Sequence, residues 1–221
     1  MRITLLLIAV NFVFFVLQGA VPGFTETLWL VPAEAVGFSP WQFVSYMFLH
    51  GSLTHILFNM LSLGIFGTVM EASLGQKRFL TLYFASGLGS ALVHVLFTGI
   101  SEMPMLGASG AIFGILAAYG VRYPKGWIFM MGVPIPAALG VFIYAGAQFF
   151  LGFYSLEAGI ANFGHFGGII TGAALMVYWR WKEGSLKRKH KPKGKEELDE
   201  MKFFWENEEW QRGGNQIRLF F

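Results

Sequence analysis

A serine and a histidine stand at the starts of two separate apolar runs. Ser109 lies in the stretch GASG, directly before AIFGILAAYGV, and His165 lies in ANFGHFGGIITG. A serine hydroxyl is a weak nucleophile until a base accepts its proton, and histidine does so at neutral pH. The two residue types therefore predict nucleophilic attack on a carbonyl group, provided that the fold brings Ser109 and His165 together.

A third stretch, HGSLTHILFNM, offers donors for the negative charge that such an attack develops. His55 and Asn59 are four residues apart, which places both on one face of a helix. The Asn59 amide, the His55 ring N–H and the backbone N–H groups at the helix start near Ser109 are candidates for an oxyanion hole. No Asp or Glu lies in an apolar segment near the membrane depth expected for His165. The sequence therefore predicts a Ser-His dyad rather than a triad.

The elements that must position these residues are apolar. The 221 residues are 55% hydrophobic and only 13% charged, whereas soluble domains carry about 25% charged residues. The sequence therefore predicts an all-α polytopic membrane protein. The chain contains no cysteine, which excludes disulfides and thiolate chemistry. Six apolar segments follow one another, at roughly 3–20, 54–71, 79–98, 109–122, 126–152 and 161–181.

The fourth segment is too short to cross a bilayer. A helix from Ser109 to Val121 is about 20 Å long, against a hydrocarbon core of about 30 Å. One of its ends must therefore lie inside the membrane. We expect this to be the Ser109 end, because Arg122 and Lys125 mark the other end.

The basic residues predict the topology. With six spans and a cytoplasmic N-terminus, every Lys and Arg falls on the cytoplasmic side, and the loops near 21–53, 99–108 and 153–160 contain none. This is the positive-inside pattern. We therefore expect a multi-pass protein of the cell membrane with both termini cytoplasmic. Ser109, His165, His55 and Asn59 would then share one depth near the outer face.

Glycine stripes favour lateral contact between two of these helices. The sixth segment carries Gly164, Gly168 and Gly172, and the fourth carries Gly110 and Gly114. Small residues at a spacing of four let membrane helices approach closely. Packing of one stripe on the other would bring the imidazole and the hydroxyl together.

The composition changes after residue 181. We expect a six-helix domain over residues 1–181 and a basic, aromatic cytoplasmic tail over 182–221. The basic cluster favours contact with anionic lipid rather than nucleic acid. The composition of residues 196–211 is equally consistent with a short amphipathic helix on the membrane and with a solvated tail.

Together these stretches resemble the rhomboid family of intramembrane serine proteases. The resemblance spans roughly Trp41 to Trp181 and rests on HGSLTHILFNM, GASG and GHFGGIITG, in that order. It implies a six-helix bundle whose short fourth helix carries the serine. It also implies hydrolysis of peptide bonds in or beside transmembrane segments of substrate proteins, in the outer half of the bilayer, with no cofactor and no metal.

The resemblance also implies roles for single residues. Ser109 would be the nucleophile and His165 the general base and later the general acid. His55, Asn59 and the Ser109 N–H would form the oxyanion hole. The supporting residues that it implies are Gly107, Gly110, Phe113, Gly168, Gly172 and His50.

Two positions depart from the family pattern. Trp41 is followed by Gln42, where many relatives carry arginine. Phe113 stands four residues after the serine, where many relatives carry a tyrosine that stacks on the catalytic histidine. Neither change removes a chemical step.

Three other functions compete with proteolysis. A catalytically silent rhomboid-like protein would bind transmembrane clients without cutting them. An intramembrane metal site could use His50, His55, His94 and His165, but no carboxylate joins them and no H-E-x-x-H is present. A transporter could use a helix broken at Pro134 and Pro136, but the sequence shows no inverted repeat.

Overall fold

The computed structural model of the chain describes residues 1–31, 37–98, 104–130, 132–154 and 159–189. Contacts divide the chain into two compact units, Met1–Val177 and Tyr178–Phe221. All residues of the candidate site fall in the first unit. Most of the expected tail, from residue 190 onward and including 196–211, lies outside the described residues.

Most of the described chain is helical, as the apolar composition predicts. The helices are α1 Arg2–Ala20, α2 Phe24–Leu28, α3 Gln42–Ser45, α4 Leu53–Ser62, α5 Thr68–Thr98, α6 Ser109–Arg122, α7 Ala137–Tyr154 and α8 Gly159–Lys189. The helix α3 continues into a 3₁₀ turn at Tyr46–Phe48, and α4 continues through a π turn at Leu63–Gly67.

Among the described residues, two helical stretches are long and apolar enough to cross a membrane. They are Arg2–Ala20, with 19 residues, and Leu53–Phe97, with 45. The second covers two of the expected segments and is interrupted at Gly75, whose φ of 75° and ψ of 163° are not helical. Ser109–Arg122 and Ala137–Leu151 are apolar but shorter. The count of six spans remains a prediction from the sequence.

The segment expected as one apolar span over 126–152 is divided. Its first part forms an antiparallel hairpin of β1 Trp127–Met130 and β2 Val133–Pro136, and α7 begins only at Ala137. Pro134 and Pro136 explain the difference, because proline lacks the N–H that a helix interior needs. The all-α description therefore fails for this hairpin.

The N-terminus of α1 is held by a buried carboxylate. Glu71 of α5 accepts hydrogen bonds from the backbone N–H groups of Ile3 and Thr4, at 3.1 and 2.9 Å, and from the Thr4 hydroxyl at 2.7 Å. The amino group of Met1 lies 2.9 Å from the same carboxylate. Glu71 thus satisfies donors of the first helical turn, which have no acceptor within the helix.

Gln42 follows Trp41, at the position where the family resemblance predicts arginine. Its side chain is buried and fixes the loop around it. Its amide nitrogen donates to the carbonyl oxygens of Gly37 and Thr27, at 2.9 and 3.4 Å. Its carbonyl oxygen lies 3.5 Å from the N–H of Val31. A neutral amide therefore satisfies backbone groups of this loop.

The glycine stripes of α6 and α8 are in contact. A Cβ on Gly168 would overlap the carbonyl oxygen of Gly110, and a Cβ on Gly172 would overlap that of Gly114. On α5, Ser90 and Ser86 occupy the space beside the same two α6 glycines. The start of α6 is thus packed between small residues of two other helices.

Candidate active site

The loop before Ser109 is fixed by backbone hydrogen bonds. Met105 and Leu30 exchange two bonds of 2.8 and 2.9 Å, and the N–H of Gly107 donates to the carbonyl oxygen of Tyr46 at 2.9 Å. Gly107 has a φ of 128°, which only glycine adopts readily. The chain then enters α6, whose first residue is Ser109. The N–H groups of that first turn have no acceptor within the helix.

The His165 side chain reaches Ser109 from α8. Its Nε2 lies 2.8 Å from the Ser109 Oγ, although 56 positions separate the two residues in the chain. The contact follows from the packing of Gly168 on Gly110, because each glycine is close in sequence to one member of the pair. The structure therefore brings the expected nucleophile and base to hydrogen-bonding distance.

The other ring nitrogen of His165 faces α7. Its Nδ1 lies 3.0 Å from the Oε1 of Gln148. A carbonyl oxygen can only accept a hydrogen bond, so this contact requires a ring that carries its proton on Nδ1. In neutral imidazole the proton on Nδ1 leaves a lone pair on Nε2. This is the tautomer in which Nε2 can accept the Ser109 proton.

The Phe113 ring packs on the face of His165. The centroids of Phe113 and His165 are 4.6 Å apart, with 37° between the ring planes. Tyr144 of α7 packs edge-on against Phe113 at 5.8 Å. Phe113 thus contacts the histidine at the position where many relatives carry tyrosine.

His55 packs against the loop that leads into Ser109. A Cβ on Gly107 would lie 2.9 Å from the His55 Cε1 and 3.0 Å from its Nε2. The Nδ1 of His55 accepts a long hydrogen bond of 3.4 Å from the N–H of Gly51. The proton of a neutral His55 ring is therefore on Nε2, beside Gly107. If His55 donates a hydrogen bond to an oxyanion, it does so through this Nε2–H group.

Asn59 is one helical turn beyond His55 and is buried. Its amide nitrogen has no hydrogen-bond partner within the described residues. A buried amide donor without a partner costs free energy, of the order of 1–3 kcal/mol. Asn59 is thus a donor that a bound group near this helix face would satisfy.

His50 lies next to His55. The two rings are 5.0 Å apart and meet edge to face. The backbone of His50 is held by Gln18 of α1, which donates to its carbonyl oxygen at 3.3 Å and accepts from its N–H at 2.9 Å.

The metal hypothesis finds no support in the part of the chain that is described. No group of three or more His, Asp or Glu side chains in that part is arranged to hold a metal ion. His55 and His165 instead make contacts that suit a donor and a base.

Sequence reasoning missed Gln148. It lies within the apolar run Ala137–Leu151, and polar side chains inside a membrane segment are costly and usually functional. This rule applies to amides as well, so the position of Gln148 in the apolar run is a signal that marks it as a candidate. Its partner could not have been read from the spacing, because the contact joins two helices.

Comparison with known proteins identifies the family to which the chain is similar. A family model described as the rhomboid domain matches residues 37–182. The chain is 33% identical over 140 residues to the rhomboid protease GlpG of Yersinia pestis, covering 63% of this chain and 48% of that protein. It is 31% identical over 156 residues to RHOMBOID-like protein 5 of Arabidopsis thaliana, covering 70% and 49%.

A second Arabidopsis relative, RHOMBOID-like protein 2, is 35% identical over 135 residues, which are 61% of this chain and 41% of that protein. The matched region thus spans less than half the length of each of these relatives. The family model, by contrast, covers well over half of this chain. By this match, and by the order of its three sequence stretches, the chain belongs to the rhomboid family.

Proposed function

We propose that this chain is an intramembrane serine endopeptidase that cleaves transmembrane segments of membrane proteins. The observation that carries the proposal is the 2.8 Å contact between the Ser109 Oγ and the His165 Nε2. A serine hydroxyl is activated as a nucleophile by an adjacent base at this distance. The similarity to the GlpG protease supports the same reaction class.

In the first step the Ser109 Oγ attacks the carbonyl carbon of the scissile peptide bond. His165 accepts the hydroxyl proton at Nε2, and the carbonyl oxygen becomes an oxyanion. Collapse of the tetrahedral intermediate breaks the C–N bond. His165 returns the proton to the leaving amine, and the acyl group remains esterified to Ser109.

In the second step water attacks the ester carbon. His165 accepts a proton from the water and then returns it to the Ser109 Oγ as the ester bond breaks. The products are a carboxylic acid and the free enzyme, so the protons balance over the two steps.

The oxyanion requires donors aimed at the position where the charge develops. We assign this role to the His55 Nε2–H, to the Asn59 amide and to the backbone N–H of Ser109. The tautomer of His55 and the unpartnered Asn59 amide support the assignment.

We further propose that the site opens to the extracellular side of the cell membrane and that both termini are cytoplasmic. The asymmetry of Lys and Arg between the loops supports this orientation. The substrates would be the transmembrane helices of other proteins, cut in the outer half of the bilayer.

The proposal is tested by labelling the purified protein in detergent with a fluorophosphonate, followed by peptide mass spectrometry. We expect an adduct on Ser109 that is absent from Ser109→Ala and strongly reduced in His165→Ala. Ser185→Ala is the matched control and should label as wild type does, because Ser185 has no part in the proposed site.

A parallel assay measures cleavage of a model transmembrane substrate in liposomes. If the folded wild type neither labels nor cleaves, while both it and Ser109→Ala still capture the substrate, the silent client-binding protein would be the better description.

A further inference from the structure

The base of the proposed reaction has a second hydrogen-bond partner that the dyad expected from the sequence does not include. His165 contacts Ser109 through Nε2 at 2.8 Å and Gln148 through Nδ1 at 3.0 Å. The two partners lie on α6 and α7, on opposite edges of the imidazole ring. The ring is therefore held at both nitrogens.

We propose that Gln148 is a positioning residue that fixes the tautomer and the ring orientation of His165. Without an acceptor at Nδ1, the neutral ring is free to carry its proton on Nε2, where it blocks transfer from the serine. With the Gln148 Oε1 at Nδ1, the lone pair is kept on Nε2. The catalytic consequence rests on the proposed function, but the tautomer itself does not.

The same bond suits every stage of the reaction. When His165 has accepted the Ser109 proton, both ring nitrogens are donors, and Nδ1–H still donates to the Gln148 Oε1. Gln148 therefore neither gains nor loses a proton and does not reorient during the cycle. A carboxylate in this place would hold the ring in the same way.

An amide fits this position better than a carboxylate because of its surroundings. Gln148 is half-buried and lies in the apolar run Ala137–Leu151. A charged side chain in a membrane segment is costly, whereas a neutral amide with a partner costs less. Gln148 thus supplies an acceptor without an ionised group.

The α7 helix offers a matched control one turn away. Tyr144 lies four residues before Gln148 on the same helix face, and its ring packs against Phe113 rather than bonding to His165. Tyr144→Phe keeps that packing and removes a hydroxyl. A general disturbance of α7 should affect both positions, whereas loss of the His165 acceptor is specific to Gln148.

The kinetic test compares Gln148→Leu, Gln148→Glu and Tyr144→Phe with wild type in liposomes. We expect Gln148→Leu to lower kcat and the rate of fluorophosphonate labelling about 10- to 100-fold at unchanged KM, since a general base contributes about 10²- to 10⁴-fold in all. Gln148→Glu should recover most of this loss, because its carboxylate also accepts from Nδ1. Tyr144→Phe should stay within about two-fold.

A second measurement reads the tautomer directly. Nitrogen-15 NMR of the histidine-labelled protein has only five side chains to resolve, and His165→Ala identifies the His165 signals. We expect the proton on Nδ1 in wild type and a mixture of tautomers in Gln148→Leu. This readout does not depend on proteolysis, so it also decides the inference in a chain that proves silent.

The outcomes separate the two proposals. An inactive wild type whose tautomer changes in Gln148→Leu would refute the protease and support the positioning role. An unchanged tautomer in a folded Gln148→Leu overturns the positioning role whatever the activity. An active enzyme whose kcat is unaffected by Gln148→Leu overturns its catalytic consequence.

Discussion

Gly168 of α8 lies directly on the backbone carbonyl of Gly110, the residue that follows Ser109. There is no space for a side chain between the two backbones, and the same is true one turn further along, at Gly172 and Gly114. The distance between the nucleophile and the base is therefore set by two backbones in contact rather than by side chains that adapt.

Gly168→Ala is expected to separate α6 from α8. The added methyl group must displace the Gly110 carbonyl, and such overpacking costs about 1–3 kcal/mol. We expect a lower Tm in detergent and a loss of Ser109 labelling of at least about ten-fold, because a 1 Å misplacement can cost about 100-fold. Gly19→Ala on α1 is the control, because a Cβ there meets nothing within 4 Å. A Gly168→Ala protein with wild-type labelling would contradict the rigid contact.

Gly107→Ala should impair the site for two reasons that a control can separate. The φ of 128° strains any other residue, and the new Cβ would press on the His55 ring at 2.9 Å. We expect activity to fall by about 5- to 30-fold, because a backbone strain of the order of 1–2 kcal/mol would be imposed on the site. Gly23→Ala shares the positive φ, at 77°, but meets no neighbour within 4 Å. Equal losses of activity in both variants would show that the contact with His55 is unimportant.

Phe113→Ala should leave the His165 ring without the aromatic face that packs on it. We expect kcat to fall by up to about ten-fold, since aromatic pairs contribute about 0.5–1.5 kcal/mol beyond their burial. Phe113→Tyr keeps the ring and should retain near wild-type kcat in the same liposome assay. A large loss in Phe113→Tyr would mean that a hydroxyl is not tolerated beside Tyr144.

Glu71→Leu is expected to destabilise the fold without touching the site. It removes the acceptor for the N–H groups of Ile3 and Thr4, and an unsatisfied buried donor costs about 1–3 kcal/mol. We expect a Tm lower by several degrees and unchanged labelling of Ser109 at low temperature. Thr4→Val removes one of these bonds and should lower the Tm by a smaller amount. A Glu71→Leu protein as stable as wild type would show that water replaces the carboxylate.

Substrate preference should follow from the backbone hydrogen bonds of the substrate. A transmembrane helix satisfies its own N–H and C=O groups, so the scissile bond becomes accessible only where the helix unwinds. We expect faster cleavage of model helices with Gly, Pro or Ser near the cut and a small residue just before it. Mass spectrometry of the products locates the cut. Equally fast cleavage of an uninterrupted poly-Leu helix is the result that speaks against this mechanism.

The sequence predicts the meeting of Ser109 and His165 because local patterns carry the information. Glycines repeat at intervals of four on both helices, and the two polar residues are adjacent to the first glycine of each stripe. The start of α6 at Ser109 follows from the same run of residues. Patterns of this kind lie within a single helix, so they can be read without a structure.

Contacts between side chains that are far apart in the sequence leave no such repeat that could be recognised. Gln148 and His165 are 17 positions apart on different helices, and Glu71 reaches Thr4 across 67 positions. The local sequence does not show which polar residue each of these side chains contacts. The hairpin at 127–136 was missed for another reason, because its residues are as apolar as a span and only Pro134, Pro136 and Gly132 mark the difference.

The order of Ser109 and His165 along the chain has a consequence during synthesis. Ser109 is made 56 residues before His165, which at roughly 5–20 residues per second is a delay of about 3–11 s. Until α8 has been made and packed against α6, Ser109 lacks its contact with His165. On the proposed mechanism, a partly synthesised chain would therefore be unable to cut its neighbours in the membrane.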